Sequence, residues 1–366
     1  SAFKMNNLLL LLFTLAGLWY LGWRCWAFIW LENKPPGGQE TPDLHVLICA
    51  RNAGKLLASH LPEWLEQNYP GYQVWVVNDA SSDETEEVLS QLAQKYKHLH
   101  LLTLSEKKEV GKRAALAFGL AHLPDAQVVL TDADCRPSSP FFLKELASQI
   151  GESKVTYVGL GLYEAQGHGV QAMVQFETMQ TAYLYYGAAA AGLPYMGVGR
   201  NMGYATSSGI KMVAASAKGN VAGGDDDLSI SSGLGGKIQL IRGKAAWTLS
   251  TAPRDVAEWW NQKSRHYQTS VHYPFHTLLM LGLDQLSHTL LWFLGLSGFL
   301  FPETQPLACI SLGILGTVWG FYAFSLYRRG IKINLFKIGV GDFICTFVLP
   351  ILWLQAILWK PRGRWT

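Results

Sequence analysis

Apolar positions are gathered at the two ends of the 366-residue chain. Asn6 to Leu31 reads NNLLLLLFTLAGLWYLGWRCWAFIWL, whose only charge is Arg24. About 20 apolar residues suffice to cross the hydrocarbon core of a bilayer, so this stretch predicts a transmembrane helix over 6–31. It is too long for a signal-peptide core, lacks a small-residue cleavage site and ends in Trp-rich sequence suited to an interface, which favours a retained anchor. Beyond His272 the apolar runs resume over about 276–301, 304–327 and 334–359. Each is long enough to span, giving four crossings and a C-terminal membrane region of about three transmembrane or interfacial helices over 273–360. Asp284 and His288, in the first of these runs, either face other helices or place its first half along the interface.

Between the ends the pattern changes. The stretch LENKPPGGQETPD, rich in Pro and Gly, marks a boundary, and from about Leu44 to His272 charges and turn residues return at ordinary frequency. Short β-rich runs alternate there with helical patterns: HVLICA, a helix near 55–68, YQVWVVND, a helix near 83–96, HLHLLTL, the helix KRAALAFGLAHL and AQVVLTDAD. Such alternation, with strands apolar on both faces, predicts an α/β domain over 44–272 with a mostly parallel sheet covered by helices.

Composition agrees with this division. Hydrophobic residues make up 49% of the chain and charged ones only 16%, a deficit that the end segments account for. A net charge of +3 without a run of like charges argues against a nucleic-acid partner. The cysteines Cys25, Cys49, Cys135, Cys309 and Cys345 lie far apart without a zinc spacing and read as free thiols.

The loop YRRGIKINLFK, with Arg328, Arg329, Lys332 and Lys337, is cytoplasmic by the positive-inside rule. Two spans separate it from the α/β domain, which is therefore expected to be cytoplasmic, in an integral protein of the inner or cytoplasmic membrane. One feature conflicts: four crossings put the basic tail KPRGRW outside, so either the tail is an exception or one segment is re-entrant.

Ligands of open α/β sheets bind beyond the carboxyl ends of the strands. Asp79 closes VWVVND, Asp132 and Asp134 close VVLTDAD, and Asp225, Asp226 and Asp227 follow a Gly-rich stretch. An isolated Asp at such a place commonly caps a helix or turn. Two carboxylates with one residue between them can instead aim at one hard cation, and Mg²⁺ or Mn²⁺ held this way usually bridges substrate phosphates.

The order HVLICARN, VVNDASSDET, GKRAALAFGL, TDADCRPSS, GGDDDLSI and QKSRH resembles glycosyltransferase family 2, over about 44–266. The resemblance implies a Rossmann-like nucleotide-diphospho-sugar transferase domain, inverting chemistry and a nucleotide-sugar donor. It implies that Asp79 receives a hydrogen bond from the base, with Ala50, Arg51 and Asn52 in the loop beside it. Asp134 then binds Mn²⁺ or Mg²⁺, and Asp132 contacts the ribose or a metal-bound water. Lys112 either adds positive charge near the phosphates or is a solvated lysine at a helix start.

Leu228 sets the register of the acidic cluster. It places Asp225 at the catalytic base and Asp227 at the following acid; Gly224 stands where the family commonly has Glu, which leaves Asp226 as a second candidate base. Gln262 and Arg265 match the QxxRW motif, with His266 where Trp is usual, and Arg265 is free to pair with a diphosphate. That Trp stacks on the acceptor in polymer-forming members, so His266 implies a different acceptor or a non-processive enzyme. The stretch from Met173 to Tyr204 is implied to be the acceptor side: an amphipathic helix QFETMQTAYLYY, a mobile Gly/Ala-rich loop, then Arg200 and Asn201 as acceptor contacts or as polar groups that tie down a loop. Trp259 and Trp260 suit the bilayer surface, the acceptor site or the core.

The activity that the resemblance implies is transfer of a sugar from a nucleotide-sugar donor, expected to be UDP-linked, to a hydroxyl of a lipid or glycan. A processive polysaccharide synthase of the same family is the nearest alternative. A nucleotide-sensing transport protein would show paired repeats, which the sequence lacks.

Overall fold

The computed structural model describes residues 2–33, 37–39, 41–105, 112–151, 154–164, 169–217, 224–243 and 245–358, with side chains from residue 10 onward. The basic tail from Lys360 and the stretch 218–223 before the acidic cluster lie outside the described residues.

The domain opens with β1 (Leu44–Ala50), α2 (Gly54–Leu65), β2 (Tyr72–Asp79), α3 (Thr85–Lys95), β3 (Leu99–Leu104), α4 (Arg113–His122) and β4 (Gln127–Asp132), after the long helix α1 (Ala2–Glu32). These are the alternating elements that the pattern predicts. Next come β5 (Cys135–Pro137), α5 (Phe142–Ile150), β6 (Thr156–Val158), β7 (Leu160–Tyr163), α6 (Val170–Ala190), β8 (Met202–Ala205), α7 (Thr206–Ala215), α8 (Asp227–Ser231), β9 (Ile238–Leu240), β10 (Trp247–Ser250) and α9 (Val256–Ser270). The helices α10 (Phe275–Ser297), α11 (Gln305–Arg328) and α12 (Leu335–Leu358) follow.

The main sheet has the order β3-β2-β1-β4-β8-β6-β9. Its pairs are parallel except where β8 runs against β4 and β6. A small second sheet, β5-β10-β7, carries the far wall of the site; its short strands have too few residues to show a period. All seven residues of β1 are buried because both faces are covered. Val46 and Ile48 pack in one core with Leu57, Trp64 and Phe142, while Leu47 and Cys49 pack in another with Leu116 and Leu120. Gly119 lets α4 sit close to the sheet, since a Cβ there would lie 2.9 Å from Leu47 and Val77.

Only the first part of the Gly/Ala stretch expected as a loop is helical instead: α6 continues to Ala190, and the irregular stretch begins at Ala191. The burial of α6 is not confined to one stripe either, because the helix is wedged between the domain and the long helices. Tyr186 donates to Ile241 O on the domain side, and Tyr183 donates to Phe321 O at 3.2 Å on the helical side. Tertiary contact on both flanks thus replaces the solvent that would have rewarded an amphipathic helix or a loop.

Among the described residues, four helices are long and apolar enough to cross a membrane. Asp284 and His288 face other helices, the first of the two arrangements open to them. Arg24 donates to both Asp284 oxygens at 2.6 and 2.9 Å and to Tyr322 at 2.8 Å. His288 meets Asp342 at 2.9 Å, and Trp292 donates to the same carboxylate oxygen at 2.9 Å. Charges that are expensive in an apolar surrounding are therefore paired across α1, α10, α11 and α12. Trp259 belongs to the core, buried with Tyr163, Val174 and Leu352.

Candidate active site

The carboxyl ends of β1 and β4, the strand β7, one face of α6, the loop 196–200, the start of α8 and one face of α9 surround a cleft of about 470 Å³. It brings together Arg51, Asn52, Lys112, Asp132, Asp134, Arg200, Asp225, Asp226, Asp227, Gln262, Arg265 and His266. Three residues singled out in the sequence are placed elsewhere. Ala50 and Asp79 are fully buried at the ends of β1 and β2. Asn201 is fully buried as well and donates to Leu160 O and Ala246 O at 2.9 Å, so it ties the loop down rather than facing the cleft.

The loops after β1 and β2 hold each other. Asn52 Oδ1 accepts from Ser82 N at 2.9 Å, and Asn52 N donates to Ser81 Oγ at 3.0 Å. Asn52 and Ala80 both have φ of 49°, a left-handed conformation unfavourable for a residue with a Cβ and maintained here by the crossed bonds.

Asp132 and Asp134 straddle the end of β4. With Cys135 they offer ligand atoms within 4.8 Å of one another. Burial holds the Cys135 thiol well above its ordinary pKa, and its Sγ donates to Asp134 at 3.2 Å, so it stays protonated and the oxygens are the usable donors. A pair of carboxylate oxygens suits a hard cation such as Mg²⁺ or Mn²⁺. The Lys112 ammonium donates to one oxygen of Asp132. Burial alone would raise the Asp132 pKa, but Lys112 outweighs it and holds the carboxyl below its ordinary value. Asp134 is raised, first by its partial removal from water in the cleft and then by the charge of Asp132. Asp134 is thus the carboxylate a cation would relieve most.

In the acidic cluster the three neighbours have different tasks. Asp226 caps α8: its Oδ1 accepts from Asp227 N at 2.9 Å and its Oδ2 from Gly199 N at 3.1 Å. Its pKa is pushed up to about 6 by burial and by the charge of Asp225. Asp227 is buried and accepts from Tyr273 OH at 2.6 Å, which fastens α8 to the segment before α10. Asp225 lines the cleft and is half-buried. Both oxygens of Asp226 are occupied by backbone donors, so the position open to a substrate hydroxyl is Asp225.

The opposite wall is basic. Arg200 donates to Ser250 Oγ at 2.7 Å and Gly161 O at 3.1 Å and lies 4.3 Å over the Tyr163 ring. Gly161 has no room for a Cβ, which would stand 2.4 Å from Arg200 Nε. Gln262 donates to Tyr163 OH at 3.0 Å. Arg265 is exposed toward the cleft and has no acidic partner among the described residues. The site's desolvation and then the charges of Lys263, Arg265 and Arg200 hold His266 well below its ordinary pKa, so its imidazole is neutral.

Sequence reasoning missed Tyr163, Glu177, Lys263 and Ser250. Glu177 on α6 pairs with Lys263 on α9 at 2.5 Å, almost wholly buried. Lys263 and Glu177 lie inside segments already singled out, QKSRH and QFETMQTAYLYY, whereas Tyr163 and Ser250 come from separate elements that no spacing connects.

Comparison with known proteins fits this geometry. The model of glycosyl transferase family 2 matches residues 45–196. The beta-monoglucosyldiacylglycerol synthase of Trichormus variabilis is 31% identical over 104 residues, 28% of this chain and 22% of that protein. The match therefore spans less than a quarter of the synthase. The probable glycosyltransferase YdaM of Bacillus subtilis is 23% identical over 248 residues, 64% of this chain and 56% of that protein. A mannosyltransferase from Pyrobaculum calidifontis, solved with GDP-Man and Mn²⁺, shares the fold with a TM-score of 0.59, at 16% identity over 98% of this chain and 99% of that one. Residues 45–196, with their Rossmann-like sheet and the carboxylates at its strand ends, match glycosyl transferase family 2, and the chain shares the fold of a glycosyltransferase.

Proposed function

We propose that this protein is an inverting glycosyltransferase that moves a sugar from a nucleotide-sugar donor, UDP-linked, to a hydroxyl of a lipid acceptor at the cytoplasmic membrane face. The observation that carries this reading is the gathering of Asp132, Asp134 and Asp225 in one cleft, with the Lys112 ammonium stabilised by the charges of both Asp132 and Asp225. A divalent ion held by Asp134 and Asp132 would stabilise negative charge on the departing diphosphate.

The chain's own residues divide the remaining work. Arg265, without an acidic partner among the described residues, is suited to pair with phosphate oxygens. Asp225 accepts the proton of the acceptor hydroxyl as that oxygen bonds to the anomeric carbon. The bond from that carbon to the β-phosphate oxygen breaks, the electron pair leaves with the nucleoside diphosphate, and the configuration inverts. A hydroxyl acceptor is favoured over a phosphate because a phosphate is already deprotonated and needs no base. A lipid acceptor is favoured by the apolar helices beside the cleft and by the diacylglycerol-directed name of several relatives.

Nucleoside diphosphate release from the full chain in lipid vesicles, with diacylglycerol as acceptor and with or without Mn²⁺, tests the proposal. Asp225→Asn is expected to lower kcat by about 10²–10⁴ while donor binding persists. Unchanged turnover in both Asp225→Asn and Asp134→Ala would remove its basis.

A further inference from the structure

We infer that α12 does not cross the bilayer but lies along the membrane face on which the transferase domain sits, so that the chain crosses three times. A spanning helix must end about 30 Å from where it began, beyond the hydrocarbon core. At 24 residues α12 is long enough, yet both of its ends are held by the domain.

The start is pinned through the turn that follows α11. Arg329 donates to Glu32 at 2.6 Å and lies 5.0 Å over the ring of Trp247 in β10, and Ile331 N returns to Leu326 O at 3.0 Å. At the other end Trp353 Nε1 donates to Ser270 Oγ of α9 at 2.9 Å, and Leu352 is fully buried in the cluster of Trp259, Val174 and Tyr163. Between these points Gly341 rests on Phe176 of α6, where a Cβ would stand 3.2 Å from the ring. The far ends of α10 and α11 pack on each other instead, with Gly295 against Leu312 and Gly298 against Ala308. α12 also touches these two helices, through His288 and Trp292 of α10 and Trp319 of α11.

The faces of α12 agree with this placement. Ile338, Asp342, Cys345, Leu352 and Ala356 are buried at helical spacing. Phe336, Ile351, Leu354 and Leu358 are more than half exposed, an apolar face that fits the acyl chains of one leaflet. Lys332 and Lys337 are exposed beside its first turn and have no acidic partner among the described residues, whereas Arg328 and Arg329 are paired with Glu32. That leaves two ammonium groups at the depth of the lipid phosphates. The conflict in the charge pattern also disappears. With three crossings the basic sequence KPRGRW that follows α12 is in keeping with the positive-inside rule.

The interfacial helix also has a task at the site. Through Trp353 and Leu352 it supports α9, the element that carries Gln262, Arg265 and His266, so the basic wall of the cleft is seated on the lipid surface.

The test uses the full chain with a protease-cleavable tag after Thr366, in sealed vesicles whose outer face carries the domain. Cys309, exposed near the start of α11, marks the far side by thiol labelling. Nucleotide binding by the same vesicles reports a folded domain. Cleavage of the tag by protease added outside, with Cys309 labelled only after the vesicles are opened, is the expected result. A tag cleaved only after opening would place the end of α12 across the bilayer and overturn the inference.

Discussion

The pair Arg24–Asp284 gives a prediction whose size follows from its surroundings. Arg24 is fully buried between α1, α10 and α11, and Asp284 is 7% exposed. Asp284 supplies two of the three oxygens that the guanidinium bonds; the third is Tyr322 OH at 2.8 Å. Asp284→Leu removes the countercharge and leaves the cation with one neutral acceptor and the face of Tyr20, 4.6 Å away. Breaking a buried pair in this way costs about 3–5 kcal/mol. Placing a lone Arg at the centre of a membrane helix costs about 2.5–3.5 kcal/mol on the insertion scale. The two routes meet near 3 kcal/mol, which shifts the unfolding equilibrium by roughly 100-fold. Unfolding in mixed micelles with a rising fraction of denaturing detergent, followed by tryptophan fluorescence, reads this directly. The double variant Arg24→Met, Asp284→Leu is expected to recover to within about 1 kcal/mol of wild type, because a packed apolar replacement needs no desolvation. If the single variant unfolds like wild type, or the double variant is no better than the single, the pairing does not hold these helices together.

Other perturbations address the cleft. Asp226 titrates at about 6 in the fold and about 4 unfolded, so its contribution to stability is full below pH about 4 and lost as pH rises through about 6. The melting-temperature difference between wild type and Asp226→Asn should therefore fall across that window; a difference independent of pH would contradict the assignment. Arg265→Ala should weaken equilibrium binding of the nucleoside diphosphate by about 10-fold or more, the loss of a charge-assisted hydrogen bond, and unchanged affinity in a binding titration would refute it. Lys263→Met strands the buried Glu177, whose Oε2 has no hydrogen-bond partner among the described residues, and should cost about 3 kcal/mol in denaturant unfolding. Adding Glu177→Gln should restore much of that loss.

The alternating first half of the domain was legible because each element carries its own period. The run LHVLICA is apolar at every position since both faces of β1 are covered, and the pairing of β1 with β2 and β4 follows from that. Asp132 and Asp134 were legible because the strand VVLTD ends on them. The α6 region was not: its Gly and Ala residues read as a loop, yet contact with Trp23 and Ala27 of α1 rewards small residues in a helix, since a Cβ on Gly187 would stand 3.0 Å from the Trp23 ring. The division of labour among Asp225, Asp226 and Asp227 was also hidden, because it depends on Gly199 and Tyr273, which are distant in sequence.

What the sequence determined alone is everything set by local composition and period: apolar ends, an α/β centre, a positive loop, and carboxylates at strand ends. These properties depend on neighbours along the chain, and hydrophobic burial or a strand's carboxyl end expresses them wherever the element packs. The tertiary structure decided which carboxylate is free and which is a cap, which arginine faces the cleft without an acidic partner, and which apolar helix stays beside the domain. Those outcomes are set by partners tens or hundreds of residues away, such as Asp342 for His288 and Ser270 for Trp353. Hydropathy cannot register them, because a helix that crosses a bilayer and one that lies between a domain and a leaflet bury the same apolar surface.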